Sequence, residues 1–280
     1  MTTCKKEASF RVEINMLTFR SDNKPRHVPG IIFSALLAVC YLCSGGASAA
    51  QNDGFGFALS RVVMMQGSRG GASATVLNNS ANVYLVQGRV VPADGLKGFP
   101  VEEKAAAGVK VPFMVTPPLQ RVEGKSQLPL RVLPVPGSAL PADRESLFFL
   151  SAKAIPLISG PATTEKGVRV VMALQQHIKL FWRPKGLTET AIFDGQVASR
   201  LVMSRAGGQL RVTNPTPYYI TFSLLRVGGK DLDGTALRVM VPPKGTQDYA
   251  LPAGASGGRV EWQVIDEYGL MTEKQGQTLS

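Results

Sequence analysis

The sequence predicts an all-β protein built as two β-sandwich domains. Three observations carry that expectation. Short apolar or alternating runs recur along the chain, separated by turn residues. Gly and Pro supply 29 and 19 of the 280 residues, which suits a turn-rich β protein better than a helical bundle. The clearest periodicity is two, over residues 168–183, where a helix would need 3.6. With 44% hydrophobic residues, the chain has the apolar material for packed cores, which excludes wholesale disorder.

The first segment belongs to export rather than to either sandwich. Residues 31–43 form a mostly apolar run preceded by Lys24 and Arg26. It is shorter than the roughly 20 residues of a membrane span. Small residues follow, with Ala47 and Ala49 spaced as at a signal-peptidase site, so residues 1–49 are expected to be a cleaved signal peptide. The stretch before the apolar run is long, and Met16 is an attractive alternative start.

Cleavage changes what the composition means. Six of the 31 Lys+Arg and three of the 20 Asp+Glu lie in residues 1–49, so the net charge falls from +11 to 25 against 17, or +8. Cys4, Cys40, Cys43 and His27 leave with the segment, and His177 is the single histidine that stays. A cysteine-free chain with one histidine excludes disulfides, thiol chemistry and a multi-histidine metal site, and it argues against a Ser-His-Asp hydrolase. The paired glycines at Gly70-Gly71, Gly207-Gly208 and Gly228-Gly229 lack a following Lys-Ser/Thr and read as turns, not phosphate loops. No cofactor is expected, and the chain is not expected to be an enzyme.

The strands of the first sandwich come next. Ala74-Thr75-Val76-Leu77 ends at Asn78-Asn79-Ser80, and Val83-Tyr84-Leu85-Val86 follows at once. Pro112-Phe113-Met114-Val115 runs into Thr116-Pro117-Pro118, Leu128 to Leu133 precedes the turn at residues 134–136, and Ser146 opens a further strand. The pattern restarts after Arg183-Pro184-Lys185-Gly186 with Leu210-Arg211-Val212, residues 218–222, Val239-Met240-Val241 and the cleanly alternating residues 259–264. The expected boundaries are therefore 50–185 for the first domain and 186–280 for the second. Met64-Met65, Trp182 and Trp262 read as packing residues rather than as a copper or cofactor site.

Residues 168–183 are the most informative segment. In one phase stand Val168, Val170, Met172, Leu174, Gln176, Ile178, Leu180 and Trp182, all apolar but one. The opposite phase holds Arg169, Val171, Ala173, Gln175, His177, Lys179, Phe181 and Arg183, five of the eight polar. A strand of that length would run about 50 Å and project beyond its own sheet. A projecting apolar edge invites pairing with another chain.

Pro141-Ala142-Asp143-Arg144-Glu145-Ser146-Leu147-Phe148 and His177-Ile178-Lys179-Leu180-Phe181-Trp182-Arg183-Pro184 closely resemble the PapD-like periplasmic pilus-assembly chaperones. Asn214-Pro215-Thr216-Pro217-Tyr218-Tyr219 and Thr116-Pro117-Pro118-Leu119-Gln120-Arg121 support the resemblance, which spans roughly residues 57–269. It implies two immunoglobulin-like domains in an L shape and a periplasmic location. It implies chaperoning of pilin subunits by donor-strand complementation and their delivery, without ATP, to an outer-membrane usher.

By the same resemblance, Val168, Val170, Met172 and Leu174 would be the donated side chains. Arg61 and Lys179 would anchor the subunit's C-terminal carboxylate. Glu145 and Arg183 would join Glu267 in an interdomain ion network. Glu267 stands where the family usually has Asp before Tyr-Gly, so either it or Asp266 must serve. Lys179 lies on the phase opposite the donor residues, so the motif alone places it in the site. The loop over residues 156–167 lacks the two cysteines of one family subgroup.

Two other classes compete. A structural fimbrial subunit would share the sandwich, but it would be one incomplete domain with its own N-terminal donor extension. An exported carbohydrate-binding module or sandwich enzyme would need a clustered polar or aromatic site. The expected partners are thus pilin subunits and an usher, with no nucleic acid. Self-association would guard the free edge when no subunit is bound.

Overall fold

The computed structural model describes residues 54–94, 98–102, 105, 108–137, 139–157, 172–255 and 258–279. Residues 1–49, expected to be a signal peptide, lie outside the described residues, as do Val168 and Val170. Among the described residues the regular structure is strand, with two single-turn 3₁₀ segments and no α-helix.

The first sandwich holds β1 (Phe55–Phe57), β2 (Arg61–Met65), β3 (Ala72–Asn78), β4 (Tyr84–Pro92), β5 (Phe113–Thr116), β6 (Leu119–Val122), β7 (Ser126–Pro134), β8 (Ser146–Pro156) and β9 (Leu174–Arg183). One sheet has the order β1-β3-β7-β5 and the other β2-β9-β8-β4-β6. Alternation drives the assembly. Ala74 and Val76 of β3, Val86 of β4, Leu130 and Val132 of β7, Leu150 of β8 and Leu180 of β9 point between the sheets and share one buried cluster. Gly88 stands in mid-strand because the facing sheet comes close: a Cβ there would lie 3.0 Å from Val115 and 3.2 Å from Leu130.

The second sandwich holds β10 (Val202–Ala206), β11 (Gln209–Asn214), β12 (Phe222–Val227), β13 (Lys230–Asp231), β14 (Gly245–Ala250), β15 (Arg259–Val264) and β16 (Gln275–Thr278), in sheets ordered β10-β11-β14 and β13-β12-β15-β16. Its core gathers Met203, Leu210, Val212, Leu225, Val260, Trp262 and Val264. Trp262 buries its ring and donates Nε1–H to the Ala198 carbonyl at 3.0 Å. Trp182 and Met64 likewise sit in the first core.

Two expected strands take a different form. Residues 218–221 and Val239-Met240-Val241 meet only at an isolated bridge between Ile220 and Val241, and β12 begins at Phe222. The prolines explain it. Pro215 and Pro217, and Pro242 and Pro243, remove N–H groups that a longer ladder needs. Asn214 organises the bend instead: its Nδ2 donates to the carbonyls of Tyr218 and Pro242, and its Oδ1 accepts from Thr216 N and Oγ1. A third buried cluster, Val91, Leu147, Phe149 and Phe181 from the first sandwich with Met240 from the second, fills the seam between the two cores.

Candidate functional site

β2 runs parallel to β9, and their register makes Arg61 and Lys179 direct Cα partners. Their neighbours Val62 and Leu180 enter the first core, so by alternation Arg61 and Lys179 leave on the opposite face. That face looks toward the second sandwich. Arg61 Nη1 donates to the Ile265 carbonyl at 3.0 Å, and its guanidinium carbon sits 5.7 Å from the centre of the Phe181 ring. Lys179 Nζ donates to Thr221 Oγ1 at 3.0 Å.

Burial strains both cations. Loss of water pushes the Lys179 ammonium down to about 7, and the Arg61 charge adds to the effect. Burial pushes Arg61 down to about 10, with Asp266, Glu145 and Glu267 opposing the fall. Arg61 is only 5% exposed, and its Nε is buried without a protein partner among the described residues. Beside Lys179 opens a cavity of about 600 Å³ whose lining includes Phe149, His177, Thr221, Phe222 and Ile265. Two neighbouring cations in a partly dry cleft have the chemistry to hold an anion such as a carboxylate.

The strand next to this pair has an incomplete ladder. β9 pairs with β8 from Leu174 to Trp182, but with β2 only from Lys179 to Arg183. Residues 174–178 therefore have a strand partner on one side only among the described residues. β9 starts at Leu174, Met172 stands just before it, and the expected start at 168 lies outside the described residues. β8 offers no ladder N–H at its last residue, Pro156, which opposes the missing continuation. Met172 is 74% exposed and Leu174 is 44% exposed, unusual for large apolar side chains.

The three expected network residues come together. Arg183 Nε donates to Glu145 Oε1 at 2.5 Å, and its Nη2 donates to Glu267 Oε1 at 2.8 Å. Arg183 Nη1 donates to the carbonyls of Thr188 and Glu189, and the ring of Tyr218 lies 4.7 Å below the guanidinium. Glu145 Oε2 accepts from Tyr219 N at 2.6 Å, and Glu267 also accepts from the amides of Ile192 and Phe193.

Asp266 does not join. Its Oδ1 caps its own turn by accepting from Tyr268 N and Leu270 N, so the longer Glu267 reaches the network. Burial pushes the Glu145 carboxyl up, and the Arg183 charge and the Tyr219 amide pull the other way. Burial works against Arg183, and its two carboxylates more than offset it, holding it above its ordinary value.

Sequence reasoning missed Thr221 and Ile265. Thr221 lies within residues 218–222, which read as an ordinary strand, and a backbone carbonyl leaves no mark in a sequence.

The chain matches two family models in tandem. Residues 54–188 match the pili and flagellar-assembly chaperone PapD N-terminal domain, and residues 196–276 match the pili assembly chaperone PapD C-terminal domain. Chaperone protein FocC of Escherichia coli is 34% identical over 221 residues, covering 79% of this chain and 88% of that protein. Chaperone protein FimC of E. coli K12 is 32% identical over 244 residues, 87% of this chain and 90% of that protein. Among solved structures, the Salmonella enterica SafA pilin in complex with the SafB chaperone gives a TM-score of 0.65 at 30% identity, covering 80% of this chain and 96% of that one. The E. coli chaperone DraB gives 0.64 at 32%, covering 80% and 98%. With both of its sandwiches matched in order, the chain belongs to the PapD-like family of pili assembly chaperones.

Proposed function

We propose that this chain is a periplasmic chaperone that binds fimbrial subunits by lending them a strand, and that it performs no catalysis. Its relatives are named chaperone proteins, some of them probable fimbrial chaperones, and one neighbouring structure holds a pilin in complex with its chaperone. The observation that carries the mechanism is the coincidence of two features at one point. The one-sided edge of β9 ends where β2 begins, and there stand Arg61 and Lys179.

A subunit strand running parallel to β9 would occupy the place before β2. It would end with its terminal carboxylate at the two cations. The anchor then fixes register, since a one-residue slip would turn the subunit's apolar residues to the wrong face. Each charge-assisted hydrogen bond to the carboxylate contributes about 1.5–3 kcal/mol. Met172 and Leu174, with Val168 and Val170 on the same phase, would fill the subunit's open core, at about 1.5–3 kcal/mol for each buried side chain. Methionine suits the task because it adapts to irregular pockets.

The rest of the assignment follows from this reading. Residues 1–49 direct export, residues 50–185 form the domain that lends the strand, and residues 186–280 form the second domain. The loaded chaperone passes its subunit to an outer-membrane usher, and the free edge is guarded by self-association.

Co-expression with fimbrial subunits tests the anchor. A soluble complex is expected from the wild type and is expected to be lost in Arg61→Ala and in Lys179→Ala. Normal recovery of the subunit with both variants would refute the carboxylate assignment.

A further inference from the structure

Both cations of the anchor belong to the first sandwich, and both are held by the second. Lys179 Nζ donates to Thr221 Oγ1, and Arg61 Nη1 donates to the carbonyl of Ile265, each at 3.0 Å. These two acceptors are themselves partners. Ile265 N donates to the Thr221 carbonyl at 2.8 Å, one step beyond the Phe222–Val264 pair that opens the β12–β15 ladder. A single backbone rung of the second sandwich therefore carries the acceptors for both anchor side chains.

Such a rung is a rigid template. The Ile265 carbonyl cannot turn without breaking the ladder. Thr221 is 6% exposed, and its branched side chain has few allowed rotamers. Lysine, by contrast, is a point charge on a flexible four-carbon stem. With Arg61 as its register partner pushing it away, the ammonium gains nothing by staying in the cleft unless an acceptor holds it there. The bond to Ile265 uses Arg61 Nη1 and fixes the direction in which the guanidinium points. Orientation fixed before binding raises affinity because it need not be imposed during binding.

We propose that the Thr221–Ile265 rung is the positioning device of the carboxylate anchor, and that Thr221 is the positioning residue for Lys179. The second sandwich thereby supplies part of the receptor without itself contacting the carboxylate. The inference rests on the anchor reading of Arg61 and Lys179 given above.

The probe is an alternating apolar–polar peptide of about 15 residues, long enough to add a strand, prepared with a free C-terminal carboxylate and as the C-terminal amide. Binding is followed by fluorescence anisotropy, and the titration of Lys179 by NMR of the isotope-labelled full chain. The wild type is expected to prefer the acid. Thr221→Val, which keeps the shape and removes the acceptor, is expected to cut that acid-over-amide preference about tenfold. It should also move the Lys179 midpoint downward, because the ammonium loses a hydrogen bond that favours its charged form. Thr221→Ser restores the hydroxyl and is expected to restore both. A Thr221→Val protein with the wild-type preference and an unmoved Lys179 midpoint would overturn the positioning role while leaving the anchor intact. Equal binding of acid and amide by the wild type would overturn the anchor itself, and the rung with it.

Discussion

Lys179 sits in the cleft with its ammonium pushed down to about 7, first by burial and then by Arg61. The unfolded value is the ordinary 10.5, so between about 7 and 10.5 the unfolded chain binds the extra proton and the folded chain does not. The contribution of Lys179 to the free protein's stability therefore rises with pH across that window. Binding runs the other way. A carboxylate beside Lys179 favours the charged form, so association takes up a proton above about 7, strengthens as the pH falls toward that value and levels off below it. Calorimetry of the free-acid peptide at pH values near 8, in two buffers of different ionisation enthalpy, should show that uptake. Among the described residues, Arg61 pairs with Lys179 in register, and His177 and Arg238 line the same cavity. Lys179→Ala should abolish the uptake, and His177→Gln should leave it in place; uptake that survives Lys179→Ala would assign it elsewhere. Arg183 obeys a different rule, because its partners are fixed within the fold. Glu145→Gln keeps the shape of that site but leaves a buried guanidinium with one carboxylate fewer. A loss of about 3–5 kcal/mol is expected in urea denaturation. An unchanged midpoint would show that the pair contributes nothing.

β9 shows how much of an element its own sequence can reveal. The alternation from Ile178 to Trp182 points to a strand, and each even-numbered side chain there is buried in the first core. The same alternation continues upstream through Met172, yet the ladder stops at Leu174. What ends it is the partner strand, which finishes at Pro156, and strand pairing is not written in local periodicity. The stretch over residues 218–221 misleads in the same way. Its aromatic and β-branched residues read as a strand, while the prolines around it and the buried amide of Asn214 turn it into a bend with one bridge. The exposed start of β9 gives a clean test of the donor reading. Met172 is 74% exposed, so Met172→Asp should change the stability of the free protein by no more than about 0.5 kcal/mol. The same substitution should abolish the soluble complex with a fimbrial subunit, because it would put a carboxylate into the subunit's core. A complex of normal yield would mean that another residue occupies that core.

Across the whole molecule, the two cores are separate clusters joined at a seam made of two unlike parts. One part is apolar, where Met240 of the second sandwich meets Phe149, Phe181, Leu147 and Val91 of the first. The other is ionic, where Arg183 links Glu145 to Glu267. The family motifs name the ionic members, because Glu145 and Arg183 lie within short recognisable stretches. Neither Met240 nor the Thr221–Ile265 rung could be named that way. Ile265 meets Arg61 across 204 positions, through a backbone atom common to every residue. The seam sets the cooperativity of unfolding. If it couples the cores strongly, the wild type melts in one calorimetric transition, because opening either sandwich would expose seam side chains on the other. Met240→Ala removes buried contacts worth about 2–5 kcal/mol at the seam and touches neither core cluster. Combined with Glu145→Gln, it is expected to split the single endotherm into two, one for each sandwich. The two substitutions lie in different parts of the seam, so each alone should lower the midpoint with the single transition retained. A double variant that still melts in one transition at the wild-type temperature would show that the two sandwiches are held together by something other than this seam.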